Sequence, residues 1–126
     1  MHTNLSWVQL GSLMMFLGVT LGAFGSHALR GKIPDASLEI FKTGVLYHFI
    51  HAIGIFIVAW LTTQSTDPRV HYAGLCFIIG IFLFSGSLYL LAVTEMKVFG
   101  AITPLGGISF LIGWFLLMHS QYMQTF

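Results

Sequence analysis

Charged residues are scarce in this 126-residue sequence, where five basic and four acidic side chains make up 7% of the chain. Soluble domains average about 25% charged residues. Hydrophobic residues reach 56% of the sequence, and the mean hydropathy is +0.88. A chain this short cannot hide so much apolar surface from water, which excludes a soluble monomer. Disorder is excluded as well, because it requires low hydrophobicity and high charge.

Further shortages narrow the classes of function. A net charge of +1 provides no basic field, so we expect no nucleic-acid partner. The single cysteine, Cys76, cannot form an internal disulfide and lacks metal-site spacing. GxSxG, P-loop and HExxH motifs are absent from the sequence, and carboxylates are too few for paired acid–base chemistry. The sequence therefore predicts a protein that is not an enzyme and holds no cofactor or metal.

The charged residues divide the sequence into four charge-free runs, at 1–29, 43–66, 70–94 and 98–126. Each run is long enough for a membrane helix, which needs about 20 apolar residues. Helices are expected because a backbone in lipid must satisfy its own hydrogen bonds. We predict a single integral membrane domain over residues 1–126, all-α, with four transmembrane helices in an up-down bundle. The predicted spans are residues 6–27, 44–63, 73–93 and 103–122.

The connections between the spans are predicted to be short, apart from the first. Residues 28–43 contain Asp35, an expected N-cap, and a helical spacing of apolar residues follows it. This pattern predicts an interfacial helix that leads into the second span or is continuous with it. Asp67–Pro68 and the stretch 100–104 are the predicted turns before the third and fourth spans.

Positive charge is distributed unevenly between the two sides of the predicted bundle. Loops one and three carry Arg30, Lys32, Lys42 and Lys97, whereas loop two and the termini carry only Arg69. Loops rich in Lys and Arg stay in the cytoplasm. We therefore predict that both termini lie outside the cytoplasm.

Small residues collect on single faces of the predicted helices. The first span carries Gly18, Gly22 and Gly25 on one face, and the fourth span carries Gly106 and Gly113 on another. In lipid, small residues allow helix backbones to approach closely and thereby drive helix association. We predict that these glycines pack helices. A backbone-lined groove that admits a ligand is the alternative.

Hydrogen-bonding side chains gather near one end of the predicted bundle, on the side of loops one and three. Because the spans alternate in direction, position along each span reports depth. Ionisable groups inside a membrane usually face the bundle interior and mark functional sites. We predict a cluster that binds a small molecule, a lipid headgroup or a proton. Its members are His27, Tyr47, His51, Ser85, Tyr89 and Glu95.

Ordinary structural roles compete with this hypothesis for the same residues. Tyr and His near the headgroups serve as interfacial anchors, and Ser and His make interhelical hydrogen bonds. The basic residues Arg30, Lys32 and Lys42 favour the binding hypothesis, because they can attract anionic headgroups.

Two other classes of function remain open at this point. The glycine faces favour a structural role, in which the chain assembles with copies of itself or with other membrane proteins. A metal or haem protein is the least favoured class. His48 and His51 share one helix, which leaves His27 as the same-side partner on another helix, and a zinc site would need His27, His51 and Glu95 to converge.

Five segments occur together in one order, namely 22–29 (GAFGSHAL), 47–52 (YHFIHA), 84–89 (FSGSLY), 100–107 (GAITPLGG) and 113–114 (GW). These segments and their order resemble the sequence signature of the domain-of-unknown-function 423 family, which includes the transmembrane protein 256-like small membrane proteins. The resemblance implies a four-helix protein of the bacterial inner membrane, without an established biochemical activity. His27 and His51 match the family pattern, in which position 26 is more often alanine and position 48 is frequently glutamine.

Overall fold

Long apolar helices account for nearly all of the chain, as the charge-free runs require. The structure is a computed structural model that describes the backbone of residues 2–125 and the side chains of residues 7–120. The elements are α1 (His2–Val19), a first π-helical segment (Thr20–Gly25), α2 (Ser26–Leu29), α3 (Asp35–Gln64), α4 (Pro68–Gly80), a second π-helical segment (Ile81–Gly86), α5 (Ser87–Thr94) and α6 (Lys97–Thr125).

Four helical spans in this part of the chain are long and apolar enough to cross a bilayer. They are Trp7–Leu29, Asp35–Gln64, Pro68–Thr94 and Lys97–Ser120. The predicted all-α fold with four transmembrane helices is thus confirmed, and the surroundings of the protein are a lipid bilayer. The second, third and fourth spans each begin earlier than the sequence predicted.

The helix starts differ from the sequence prediction for local reasons. Helix α3 is unbroken, so the predicted interfacial segment and the second span form one helix. Asp35 is its first residue and caps nothing, because Pro34 occupies the N-cap position and makes no side-chain cap hydrogen bond. The expected turn at 100–104 is wrong, since these residues lie within α6. Pro104 is tolerated there, as prolines are in membrane helices.

A polar clamp joins the start of α4 to the far end of α6. The Asp67 carboxylate accepts a hydrogen bond from the backbone N–H of Arg69 at 2.9 Å and so caps α4, whose first residue is Pro68. The Arg69 guanidinium pairs with the same carboxylate at 2.6 Å and donates to Nδ1 of His119. These bonds from Arg69 hold the pKa of Asp67 below its ordinary value.

The buried core has two parts, one at each end of the bundle. The larger cluster surrounds Phe77, whose fully buried ring lies against Gly54 of α3 and Gly113 of α6. The smaller cluster contains Phe41 and Ala92 and packs against loop one. The glycines leave room for the Phe77 ring, so one large side chain holds three helices together.

The two π-helical segments interrupt the first and the third span, which run parallel to each other. The first follows α1 and the second follows α4. A π turn carries one extra residue, which rotates the rest of the helix relative to an α-helical register, and such turns are frequent at functional sites. The side chains beyond each segment are therefore displaced from the faces that a 3.6-residue period predicts.

Candidate functional site

His51 lies just past the midpoint of α3, is 3% exposed, and has both ring nitrogens hydrogen-bonded. Its Nε2 accepts from the indole N–H of Trp114 at 2.9 Å. Because an indole can only donate, Nε2 carries no proton, and Nδ1–H donates to the carbonyl oxygen of Tyr47 at 2.7 Å. The ring also stacks on Phe110, with centroids 3.4 Å apart and 8° between planes. His51 is therefore a neutral ring that joins α3 to α6.

His48 makes the matching connection on another face of α3. Its ring is 3% exposed, and Nε2–H donates to the carbonyl oxygen of Met14 in α1 at 2.7 Å. Since a carbonyl can only accept, Nδ1 is the free acceptor for the hydroxyl of Tyr89 in α5, at 2.8 Å. The two histidines hold opposite tautomers, and together they connect α3 to three other helices.

A cleft of about 610 Å³ opens in front of His51, between α3 and α6. Its wall includes the aromatic rings of Tyr47, Phe84, Phe110 and Trp114. The rings of Tyr47 and Phe84 are in contact, with centroids 4.5 Å apart. The Tyr47 hydroxyl makes no hydrogen bond to any residue whose side chain is described. The cleft thus combines an apolar wall with one available polar group.

The rim of this cleft faces the surroundings of the bundle. Leu46, Ile108 and Leu111 line it, and each is more than half exposed. Gly107 also lines it, and a Cβ added there would first meet the Phe84 ring at 3.8 Å, an ordinary contact. Because these residues lie within membrane-spanning helices, the cleft opens sideways towards lipid.

The structure separates the other predicted cluster members from this cleft. His27 is exposed and lines a different pocket, at the end of the first span. Glu95 lies in the turn before α6, where its carboxylate accepts from the Ser37 hydroxyl at 3.3 Å. Tyr89 pairs with His48. Tyr47 and His51 are therefore the two members that share the cleft.

The zinc candidates His27, His51 and Glu95 lie in these three separate environments. Over the described residues, no group of three or more His, Cys, Asp and Glu side chains could hold a metal ion.

Ser85 is fully buried in the second π-helical segment, and its hydroxyl has no hydrogen-bond partner among the described residues. Ser87, two positions later, is also buried, but its hydroxyl bonds the Phe84 carbonyl at 2.9 Å and the Thr103 hydroxyl at 2.6 Å. The two serines therefore differ in bonding and not in burial.

This difference predicts opposite effects for the same substitution. Ser85→Ala is expected to leave the protein unchanged or stabilise it by about 1 kcal/mol, because it removes a buried group without a partner. Ser87→Ala is expected to destabilise it by about 1 kcal/mol, since Thr103 loses a partner. Thermal unfolding in detergent measures both variants. A loss of stability in Ser85→Ala equal to that in Ser87→Ala would contradict the assignment.

The predicted packing glycines of the first span meet one ridge of α3. Cβ atoms added at Gly18, Gly22 and Gly25 would lie 2.9, 2.9 and 3.1 Å from the side chains of Phe49, Val45 and Phe41 respectively. These three partners are spaced one helical turn apart on α3. A larger residue at any of the glycines would push the first span away from this ridge.

The two glycines of the fourth span lie at tighter contacts. A Cβ at Gly113 would lie 2.6 Å from the Phe77 ring. A Cβ at Gly106 would meet backbone, against the amide nitrogen of Phe84 and 2.7 Å from the carbonyl carbon of Leu83. Helix α6 therefore crosses the second π-helical segment backbone to backbone at Gly106.

Sequence reasoning missed Trp114 and Phe110, and it gave His48 little weight. Trp114 and Phe110 are one turn apart on α6 and both face His51. A tryptophan in the middle of an apolar span was an available signal, because its indole N–H requires an acceptor there. The partner could not be read from the sequence, since 63 positions separate Trp114 from His51.

Comparisons with known proteins agree with this architecture. The family profile described as "Protein of unknown function (DUF423)" matches residues 21–107. UPF0382 membrane protein YwdK of Bacillus subtilis is 50% identical over 113 residues, which cover 89% of this chain and 92% of that protein. UPF0382 membrane protein SH2409 of Staphylococcus haemolyticus is 38% identical over 116 residues, covering 92% and 94%. No solved structure matches this chain.

Proposed function

This chain belongs to the DUF423 family of membrane proteins, as its resemblance predicted, and we propose that it is a non-enzymatic protein that binds one membrane lipid in the cleft between α3 and α6. The observation that carries the proposal is the combination of an aromatic wall and one free hydroxyl in a cavity open to lipid. A volume of about 610 Å³ is within the range of small-molecule sites.

The Tyr47 hydroxyl is the proposed anchor for the polar end of the lipid. Tyr47 follows the last charged residue of α3, Lys42, by five positions, or about 8 Å along the helix. Ester groups lie just beneath the charged headgroups of a bilayer, so the hydroxyl is placed to donate to an ester oxygen. The acyl chain then extends along Phe84 and Phe110 towards Trp114.

His51 positions the cleft wall in this proposal, and it does not contact the lipid through a free nitrogen. Its two nitrogens are already bonded to Tyr47 and Trp114. The same bonds favour lipid binding over proton transfer. A relay through His51 would have to continue through Trp114, whose indole N–H donates and cannot accept.

The proposed location is the inner (plasma) membrane of a bacterium, because the relatives are bacterial membrane proteins. Four basic residues lie at or near loops one and three, against one on the other side, which supports a cytoplasmic position for these loops. The bound lipid would then belong to the cytoplasmic leaflet, because Tyr47, its proposed anchor, lies in the half of α3 that begins next to loop one.

Filling the cleft is expected to expel the lipid. Gly107→Leu projects a side chain into the cleft from a position with ordinary clearance, so the fold should be kept. Native mass spectrometry of protein purified in mild detergent should show one more retained phospholipid on the wild type than on Gly107→Leu, where this additional adduct should be at least tenfold less abundant. Tyr47→Phe removes one neutral hydrogen bond and should lower the retained fraction about two- to tenfold.

Gly100→Leu is the matched control for this experiment. Gly100 lies on the same helix, outside the cleft, and an added Cβ there would contact Leu91 at 3.4 Å. This variant should retain lipid like the wild type. If Gly107→Leu and Gly100→Leu retain equal amounts, the cleft does not hold the lipid.

A further inference from the structure

We propose that a second pocket, at the end of the first span, binds the phosphate group of an anionic ligand at the membrane surface. This pocket has a volume of about 310 Å³ and lies between the first span and α3. His27, Arg30 and Lys42 line it together with Ser26. It shares no lining residue with the cleft between α3 and α6, so the two proposals are independent.

The chemistry of the lining favours an oxyanion. Arg30 and Lys42 supply two permanent positive charges, and a guanidinium and an ammonium are the common protein ligands of phosphate. Ser26 adds a hydroxyl donor, and no carboxylate lines this pocket. Lys42 pairs with Glu39 at 3.3 Å, but the two side chains are 45% and 73% exposed, so this ion pair is weak and a phosphate can displace it.

The backbone around the pocket gives it a fixed shape. Gly22 and Ala23, within the first π-helical segment, line one side of it. A Cβ at Gly22 would lie 2.9 Å from Val45, so α3 packs directly on this backbone. A larger residue at position 22 would therefore occupy part of the pocket and separate the first span from α3.

Arg30 is held by an ordered turn on the other side of the pocket. The amide of Lys32 donates to the Leu29 carbonyl at 2.9 Å, and Gly31 adopts a φ of +80° that favours glycine. Leu29 and Ile33 pack against the core cluster around Phe41. The guanidinium is thus attached to a turn that is fixed at both ends.

The position of the pocket admits two sources for the phosphate. Arg30 follows the first span and Lys42 is the last charged residue of α3, so both lie where a bilayer has its headgroups. An anionic phospholipid and a soluble phosphate ester present the same group to these residues. The shared chemistry is a phosphate oxyanion held by Arg30 and Lys42.

The test is a native mass spectrometry titration of the full-length protein in mild detergent. The probes are phosphatidylglycerol, phosphatidylcholine and soluble glycerol 3-phosphate. The wild type is expected to bind phosphatidylglycerol at least tenfold more tightly than phosphatidylcholine. Arg30→Gln and Lys42→Gln should each weaken this binding about fivefold, the contribution of one basic residue near an anionic surface.

Two further variants separate a built site from general electrostatic attraction. Lys32→Gln removes the same unit charge from loop one, but Lys32 does not line the pocket, so binding should be unchanged. Glu39→Gln removes the competing carboxylate and should strengthen binding about two- to fivefold. All four sites of substitution are exposed, so folding should be kept in each variant.

Each outcome of the titration decides the proposal. If Arg30→Gln and Lys42→Gln weaken phosphatidylglycerol binding and Lys32→Gln leaves it unchanged, the ligand is a lipid headgroup. If these variants change the binding of glycerol 3-phosphate in the same way, and the wild type does not prefer phosphatidylglycerol to phosphatidylcholine, the ligand is a soluble phosphate ester. Equal weakening by Lys32→Gln and Arg30→Gln, or no effect of any variant, overturns the site. The cleft variant Gly107→Leu should leave this binding intact.

Discussion

Gly106→Ala is expected to lower the melting temperature of the protein in detergent by on the order of 10 °C, from a loss of about 3 kcal/mol or more. The added methyl group would meet the backbone of Leu83 and Phe84 at the crossing of α6 and the second π-helical segment. A backbone contact cannot be relieved by a change of rotamer. The helices must therefore move apart, which also disturbs the Ser87–Thr103 hydrogen bond nearby.

Gly107→Ala provides the matched control for this prediction. It is the same change at the next residue of α6, where the nearest atom to an added Cβ is in the Phe84 ring at 3.8 Å. Alanine also has the higher helix propensity, by up to about 1 kcal/mol. This variant should be as stable as the wild type or more stable. Equal melting temperatures for the two variants would contradict the backbone crossing.

His48→Leu is expected to destabilise the bundle by about 2 kcal/mol. The substitution replaces the imidazole by an apolar side chain of similar size and removes the bonds to Met14 and Tyr89. Interhelical hydrogen bonds in membranes contribute about 0.6–2 kcal/mol each. The Tyr89 hydroxyl also loses its partner, which adds the cost of an unsatisfied polar group.

His48→Gln is expected to restore most of this loss. A glutamine amide carries both a donor and an acceptor, so its N–H can reach the Met14 carbonyl while its oxygen accepts from Tyr89. Thermal unfolding of the three proteins measures the effect. A His48→Gln protein as unstable as His48→Leu would show that the imidazole is required for another reason.

The sequence was sufficient to predict the membrane architecture, because charges are rare and their positions bound the spans. The helix ends were harder to predict, since contacts outside the local sequence set them. Asp35 is a residue type that often caps helices, yet Pro34 occupies the N-cap position and Asp35 is the first residue of α3. Residues 100–104 contain glycine and proline, yet α6 includes them because it packs on the third span over this stretch.

The candidate site could be predicted only in part. Depth along alternating spans placed His51 and Tyr47 at neighbouring levels, but depth does not specify which face of a helix a residue occupies. The first π-helical segment adds a residue to one turn just before His27. A 3.6-residue period misses that rotation, and His27 lies in the basic pocket, away from His51. The pairing of His51 with Trp114 depends on how α3 and α6 pack, which periodicity does not encode.

Fluorescence quenching of Trp114 by brominated phospholipid tests most directly whether the cleft holds a lipid. Trp60→Phe removes the most exposed of the three tryptophans, and Trp7 is only 7% exposed, so Trp114 then reports contact with lipid. An occupied cleft predicts strong quenching in this background and in Gly100→Leu, and about twofold weaker quenching in Gly107→Leu. Equal quenching in all three proteins would show that Trp114 meets only bulk lipid, and the cleft would then hold no lipid.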